Sequence, residues 1–86
     1  MDVILFQKMV LQRLNQVTAD DVLKYAKQYG IDVTRKQALE VEKLVNGKNI
    51  NIFNEEERKK LLRQVEAVTS KEAVQLLNQL FAQYVS

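Results

Sequence analysis

The side chains with most chemistry to offer are two acidic runs, Asp20-Asp21 and Glu55-Glu56-Glu57, and the cations Arg58, Lys59, Lys60 and Arg63 that follow the second run. Paired carboxylates could exchange protons with a substrate or hold a hard cation, and grouped lysine and arginine could hold phosphate. The chain has no histidine and no cysteine, which removes the imidazole proton carrier, thiol nucleophiles, thiolate metal ligands and disulfides. A catalytic site would then need paired carboxylates, an activated lysine or a pocketed tyrosine, and no spacing in the chain signals one. Metal-binding patterns such as an EF-hand loop are absent as well. Each acidic run reads more simply as a helix start, with Thr18 or Asn54 as the cap and the acids facing the positive end of the helix dipole. The chain is therefore expected not to be an enzyme and to need no metal or cofactor.

The elements that would carry these residues are legible from periodicity and punctuation. Val3, Phe6, Val10, Leu14 and Val17, widened by Ile4 and Leu11, predict a first helix from Val3 to about Gln16. At about 100° per residue, Leu5 and Met9 fall on a second flank beside Gln12 and Gln16. Thr18 opens a second helix with Val22, Tyr25, Ala26 and Tyr29 on one face, and Gly30 closes it. After the link Ile31-Asp32-Val33, Thr34 and Gln37 form a capping box for a third helix through Ala38, Leu39, Val41, Leu44 and Val45, closed by Gly47.

The stretch from Asn46 to Glu57 interrupts the helical pattern. Ile50, Ile52 and Phe53 favour an extended backbone, and Asn54 with Glu57 reads as a capping box for a fourth helix from about Glu55 to Val68. Leu61, Leu62, Val65 and Val68 face inward there, with the Arg58 guanidinium expected to reach water. A fifth helix is capped by Thr69 with Glu72, or by Ser70 in its place. It carries the cleanest stripe, Ala73, Leu76, Leu77, Leu80, Phe81 and Tyr84. Each extended link follows a glycine and ends in a cap, so the two could exchange a few backbone hydrogen bonds without forming a sheet.

Eighty-six residues without proline and with 47% hydrophobic side chains predict one helical domain, residues 1–86. The expectation is an all-α fold, a compact orthogonal or irregular bundle of about five short helices. Its core should hold Phe6, Val10, Leu14, Val22, Ala26, Leu39, Val41, Val45, Ile52, Leu61, Val65, Leu77, Leu80 and Phe81. No run is long enough for a membrane span or a signal-peptide core, so no membrane role is expected and the chain reads as cytoplasmic.

Two kinds of binding remain. Leu5 and Met9, outside the first helix's core stripe, and Val85 at the end of the fifth mark a possible contact surface for an unknown protein partner or for a second copy in a homodimer. Alternatively, Arg35, Lys36, Lys43, Lys48, Lys59, Lys60 and Arg63 could form a nucleic-acid surface if the third and fourth helices lie side by side. Ala26-Lys27-Gln28-Tyr29-Gly30-Ile31 has the alanine-to-glycine step of helix-turn-helix proteins, but Lys36 stands where that motif wants a buried aliphatic residue. The net charge of only +2 and the pairing of Glu55 with Lys59 and Glu56 with Lys60 also read as a solvated face.

A family resemblance runs along nearly the whole chain. Leu5-Phe6-Gln7-Lys8-Met9-Val10 with Arg13-Leu14-Asn15, Tyr25-Ala26-Lys27-Gln28-Tyr29, Gly47-Lys48-Asn49-Ile50-Asn51-Ile52-Phe53 and Leu80-Phe81 resemble a small family of uncharacterised helical proteins from spore-forming Gram-positive bacteria. The resemblance implies a short cytosolic helical protein and supplies no functional residues.

Overall fold

Four helices start where a hydroxyl or amide side chain takes up free backbone amides, and those caps set the element boundaries. The computed structural model describes residues 3–85 and contains α1 (Val3–Asn15), α2 (Ala19–Gln28), α3 (Arg35–Val45), α4 (Glu55–Val68) and α5 (Lys71–Val85). Thr18 Oγ1 accepts from the Asp21 amide at 3.2 Å, and the Asp21 carboxylate accepts from the Thr18 amide at 3.0 Å. Thr34 and Gln37 close the expected reciprocal box at 3.1 and 2.9 Å. Asn54 Oδ1 accepts from the Glu57 amide at 3.0 Å, but the Glu57 carboxylate reaches back to the Asn51 amide, not to Asn54. Ser70 caps α5 through the Ala73 amide, while the Thr69 hydroxyl donates to the Val65 carbonyl of α4.

The two glycine stops act differently. Gly30, at φ +71°, completes a Schellman closure in which the Ile31 amide donates to the Ala26 carbonyl at 2.8 Å and the Gly30 amide to Lys27 at 3.2 Å. Gly47, at φ +74°, instead donates its amide to the carbonyl of Asn15, the last residue of α1, at 2.9 Å. Around that bond, Asn15 Oδ1 accepts from Asn49, Asn46 Nδ2 donates to the Val17 carbonyl, and the Ala19 amide donates to Glu42 Oε1, at 2.8–2.9 Å. Asn49 holds a φ of +53°, which asparagine tolerates better than most residues.

This clamp overturns two expectations for the links. Among the described residues, a backbone hydrogen bond joins the second link to the end of α1, and none joins the two links to each other. The extended run also stops early: Asn54 donates its amide to the Asn51 carbonyl, and Asn51 Oδ1 accepts from Phe53, so residues 51–54 form a turn. That turn drives Ile52 inward. Arg58 then donates from Nη1 to the Ile52 carbonyl at 2.9 Å, so its guanidinium holds the turn and does not simply face water.

Consecutive helices pack in sequence, α2 on α3, α3 on α4 and α4 on α5. The innermost residues are Ile52 and Leu61, at 1% and 0% exposure, joined by Val41, Val45, Val65 and Phe81. Ala19, Ala26 and Ala38 are also buried, where small side chains let helices approach. Leu39, expected in the core, is 41% exposed, because the buried Ala38, Val41 and Val45 define the inward face of α3 and leave Leu39 to one side. Phe6, Val10, Leu14, Val22, Leu77 and Leu80 are half-buried, and α1 has no buried residue. Among the described residues there is no strand, and no helix is long and apolar enough to cross a membrane.

Leu61→Ala should destabilise the fold by about 2–5 kcal/mol in urea titrations, as expected for a buried leucine whose neighbours cannot collapse fully. Gly47→Ala should cost about 1–2 kcal/mol through its left-handed backbone alone, since a Cβ there meets nothing within 4 Å.

Candidate functional site

The helix α1 lies across the other elements without closing the core. It is fixed at its C-terminal end by the Asn15 and Val17 hydrogen bonds, and nearer its start Phe6 meets Tyr84 of α5 with ring centroids 6.1 Å apart at a 41° tilt. Between these ties an apolar groove of about 430 Å³ runs from the surface to the core. Phe6, Val10 and Leu14 line it from α1, Val22 and Ala26 from α2, and Leu77 and Leu80 from α5, while the buried Ile52, Leu61, Val65 and Phe81 form its floor. Its exposed lining residues, which form the rim, are Met9, Arg13, Tyr25 and Tyr84. Arg13 is the sole charged side chain in the lining, and its guanidinium has no hydrogen bond or ion pair among the described residues.

Away from the groove α1 is open, and Met9 stands at the edge between the groove rim and this outer flank. Leu5 and Met9 are 56% and 57% exposed, and Val3 and Ile4 are 66% and 65% exposed. Successive residues step around the helix by about 100°, so the first turn presents apolar side chains in several directions. Lys8 borders the Leu5 and Met9 flank on one side and Arg13 on the other. Val85 is half-buried at the far end of α5, so it contributes less surface than its position outside the stripe suggested.

The basic residues are divided. Arg35 pairs with Asp20 at 2.7 Å, tying the start of α3 to the start of α2, and Lys43 pairs with Glu40 at 3.6 Å. Lys59 pairs with Glu55 at 2.8 Å, while no ion pair joins Glu56 to Lys60 among the described residues. Lys43, Lys48 and Lys60 come together on a second groove of about 440 Å³ between α3 and α4, which also contains Glu57. Lys36 lies on the same side of α3 as Lys43, seven residues away, and Arg63 is exposed on α4 beyond that groove. Lys59 holds the Glu55 carboxyl below its ordinary pKa, first by its hydrogen bond and then by its charge. No group of three acidic side chains is placed to hold a metal among the described residues.

The geometry defines a small all-α protein of five helices with an apolar groove under its first helix. By sequence, the chain belongs to the family described as "Protein of unknown function (DUF2624)", which it matches over residues 1–85. It is 65% identical over 83 residues to "Uncharacterized protein YqfT" of Bacillus subtilis (strain 168), an alignment covering 96% of this chain and 99% of that relative. No solved structure matches it.

Sequence reasoning marked Leu5 and Met9 but missed the groove and Arg13. The available signal was the angular position of Arg13, at the edge between the Leu5 and Met9 flank and the Phe6 and Val10 stripe. In an NMR titration the Glu55 carboxyl should protonate at a lower pH than an ordinary glutamate, and Lys59→Gln should raise that midpoint toward the ordinary value.

Proposed function

We propose that this chain is a non-catalytic association module of the cytosol that docks a partner protein along the outer flank of α1. The carrying observation is that α1 alone among the five helices has no buried residue while exposing Val3, Ile4, Leu5 and Met9. Leu5 and Met9, one turn apart on the same face, suit a partner helix laid alongside them. The cations on both borders determine which partner fits. No acidic residue occurs from Val3 to Asn15, so two copies of α1 packed side by side would oppose cation to cation in either direction. An amphipathic partner helix with acidic borders meets both Lys8 and Arg13 favourably. The cysteine-free composition supports the cytosolic assignment.

A second reading, contact with a nucleic-acid backbone, is favoured by Lys43, Lys48 and Lys60 converging on one groove. It is weakened by Glu57 in the same groove and by the acids that hold Arg35, Lys43 and Lys59. Flat titrations against DNA and RNA at low salt would remove it.

A synthetic helix with a leucine stripe bordered by glutamates should bind the wild-type chain, and more weakly as salt rises, whereas its lysine-bordered counterpart should not. Leu5→Glu with Met9→Lys should abolish that binding and leave the helical circular dichroism intact. Absence of binding by either peptide, or loss of fold in the double variant, would overturn the assignment. A wild-type dimer at about 100 μM that the double variant dissociates would reassign the flank to a second copy.

A further inference from the structure

We infer that the groove beneath α1 is a binding site for a small amphipathic carboxylate, with its chain along the apolar walls and its head group on Arg13. The volume, about 430 Å³, falls within the range of about 300–1,000 Å³ typical of small-molecule sites. The lining is almost wholly aliphatic and aromatic. Among the described residues its only polar side-chain groups are the Arg13 guanidinium and the Tyr25 and Tyr84 hydroxyls, all on exposed residues at the rim. Such a distribution fits a ligand with one polar end and an apolar remainder.

The sign of the head group follows from Arg13. It is the one charge in the lining, and no acid neutralises it among the described residues. A guanidinium offers a planar fork of donors that matches a carboxylate, and a phenol hydroxyl can add a further hydrogen bond. A cationic amphiphile would instead place like charge against Arg13. The floor supplies the apolar end. Ile52, Leu61 and Phe81 close its base and are nearly inaccessible to water, while the half-buried Val10, Leu14, Val22, Leu77 and Leu80 form walls from which an alkyl chain entering at the rim would displace water.

The position of α1 explains how such a site can exist in so small a protein. Its C-terminal end is pinned to Gly47 and Asn49, and Phe6 rests against Tyr84, so the helix spans the opening between two fixed points. Its own half-buried Phe6, Val10 and Leu14 form one wall, leaving space between that wall and α5.

The test uses the full chain with dodecanoate, dodecanol and dodecyltrimethylammonium, each below its micellar concentration, followed by methyl NMR. Dodecanoate should bind saturably and shift the methyls of Ile52, Leu61 and Leu77, with transfer of magnetisation from the alkyl chain to Phe81. Dodecyltrimethylammonium should bind more weakly than dodecanol. Arg13→Gln should weaken dodecanoate about tenfold and leave dodecanol unchanged, the loss expected for a hydrogen bond to a charged group. Ala73→Phe, placed on the groove wall, should exclude both while the helical spectrum is retained. Leu5→Glu lies outside the lining and should not alter dodecanoate binding, which separates this site from the partner flank. No saturable binding to the wild type, or equal affinity in Arg13→Gln, would overturn the assignment. Binding to phosphatidylglycerol vesicles without any binding of free dodecanoate would also overturn it, assigning Arg13 to a lipid surface.

Discussion

The clamp between the end of α1 and the end of α3 is the constraint on which the arrangement depends. Asn15, Val17 and Ala19 supply three anchor points at alternate residues, and Glu42, Asn46, Gly47 and Asn49 meet them from the far side. Hydrogen bonds of this type contribute about 0.5–1.5 kcal/mol each, so a set of four is substantial beside the marginal stability of a domain this size. Its geometric effect matters as much. By fixing where α1 ends, it determines which side of that helix faces the core and which faces outward.

The consequence is an unequal division of labour among the helices. The sequence of contacts from α2 through α5 encloses Ile52 and Leu61, and the turn at Asn51 to Asn54 delivers Ile52 into that enclosure while Arg58 holds its carbonyl. The α1 helix covers this body without completing it. That leaves an apolar groove on one side and an apolar flank on the other, with Arg13 between them. A single helix thus carries both surfaces on which recognition could act.

Charge is arranged mainly to serve local structure. The acids at Asp20, Asp21 and Glu55 to Glu57 sit in first turns, where the helix dipole favours them, and several also hold a cap, a turn or a neighbouring cation. The exceptions are informative. Among the described residues Arg13 has no ion-pair partner in a mostly apolar lining, and the Lys43, Lys48 and Lys60 group shares its groove with Glu57.

The sequence by itself determined the helices, because their signals are local. Thr18 and Thr34 cap through groups three residues away, Gly30 closes α2 with its own carbonyls, and the 3.6-residue stripe of α5 needs no distant partner to be recognised. The candidate flank of Leu5 and Met9 was legible for the same reason, as an angular offset on one helix. Tertiary structure alone decided that Gly47, which looks like Gly30 in sequence, gives its amide to Asn15, and that Glu57 turns to Asn51. It also decided that Leu39 stays outside and that α1 leaves a groove. Each of these depends on which of several sterically allowed partners arrives in space, and periodicity fixes the direction of a side chain but not what stands opposite it.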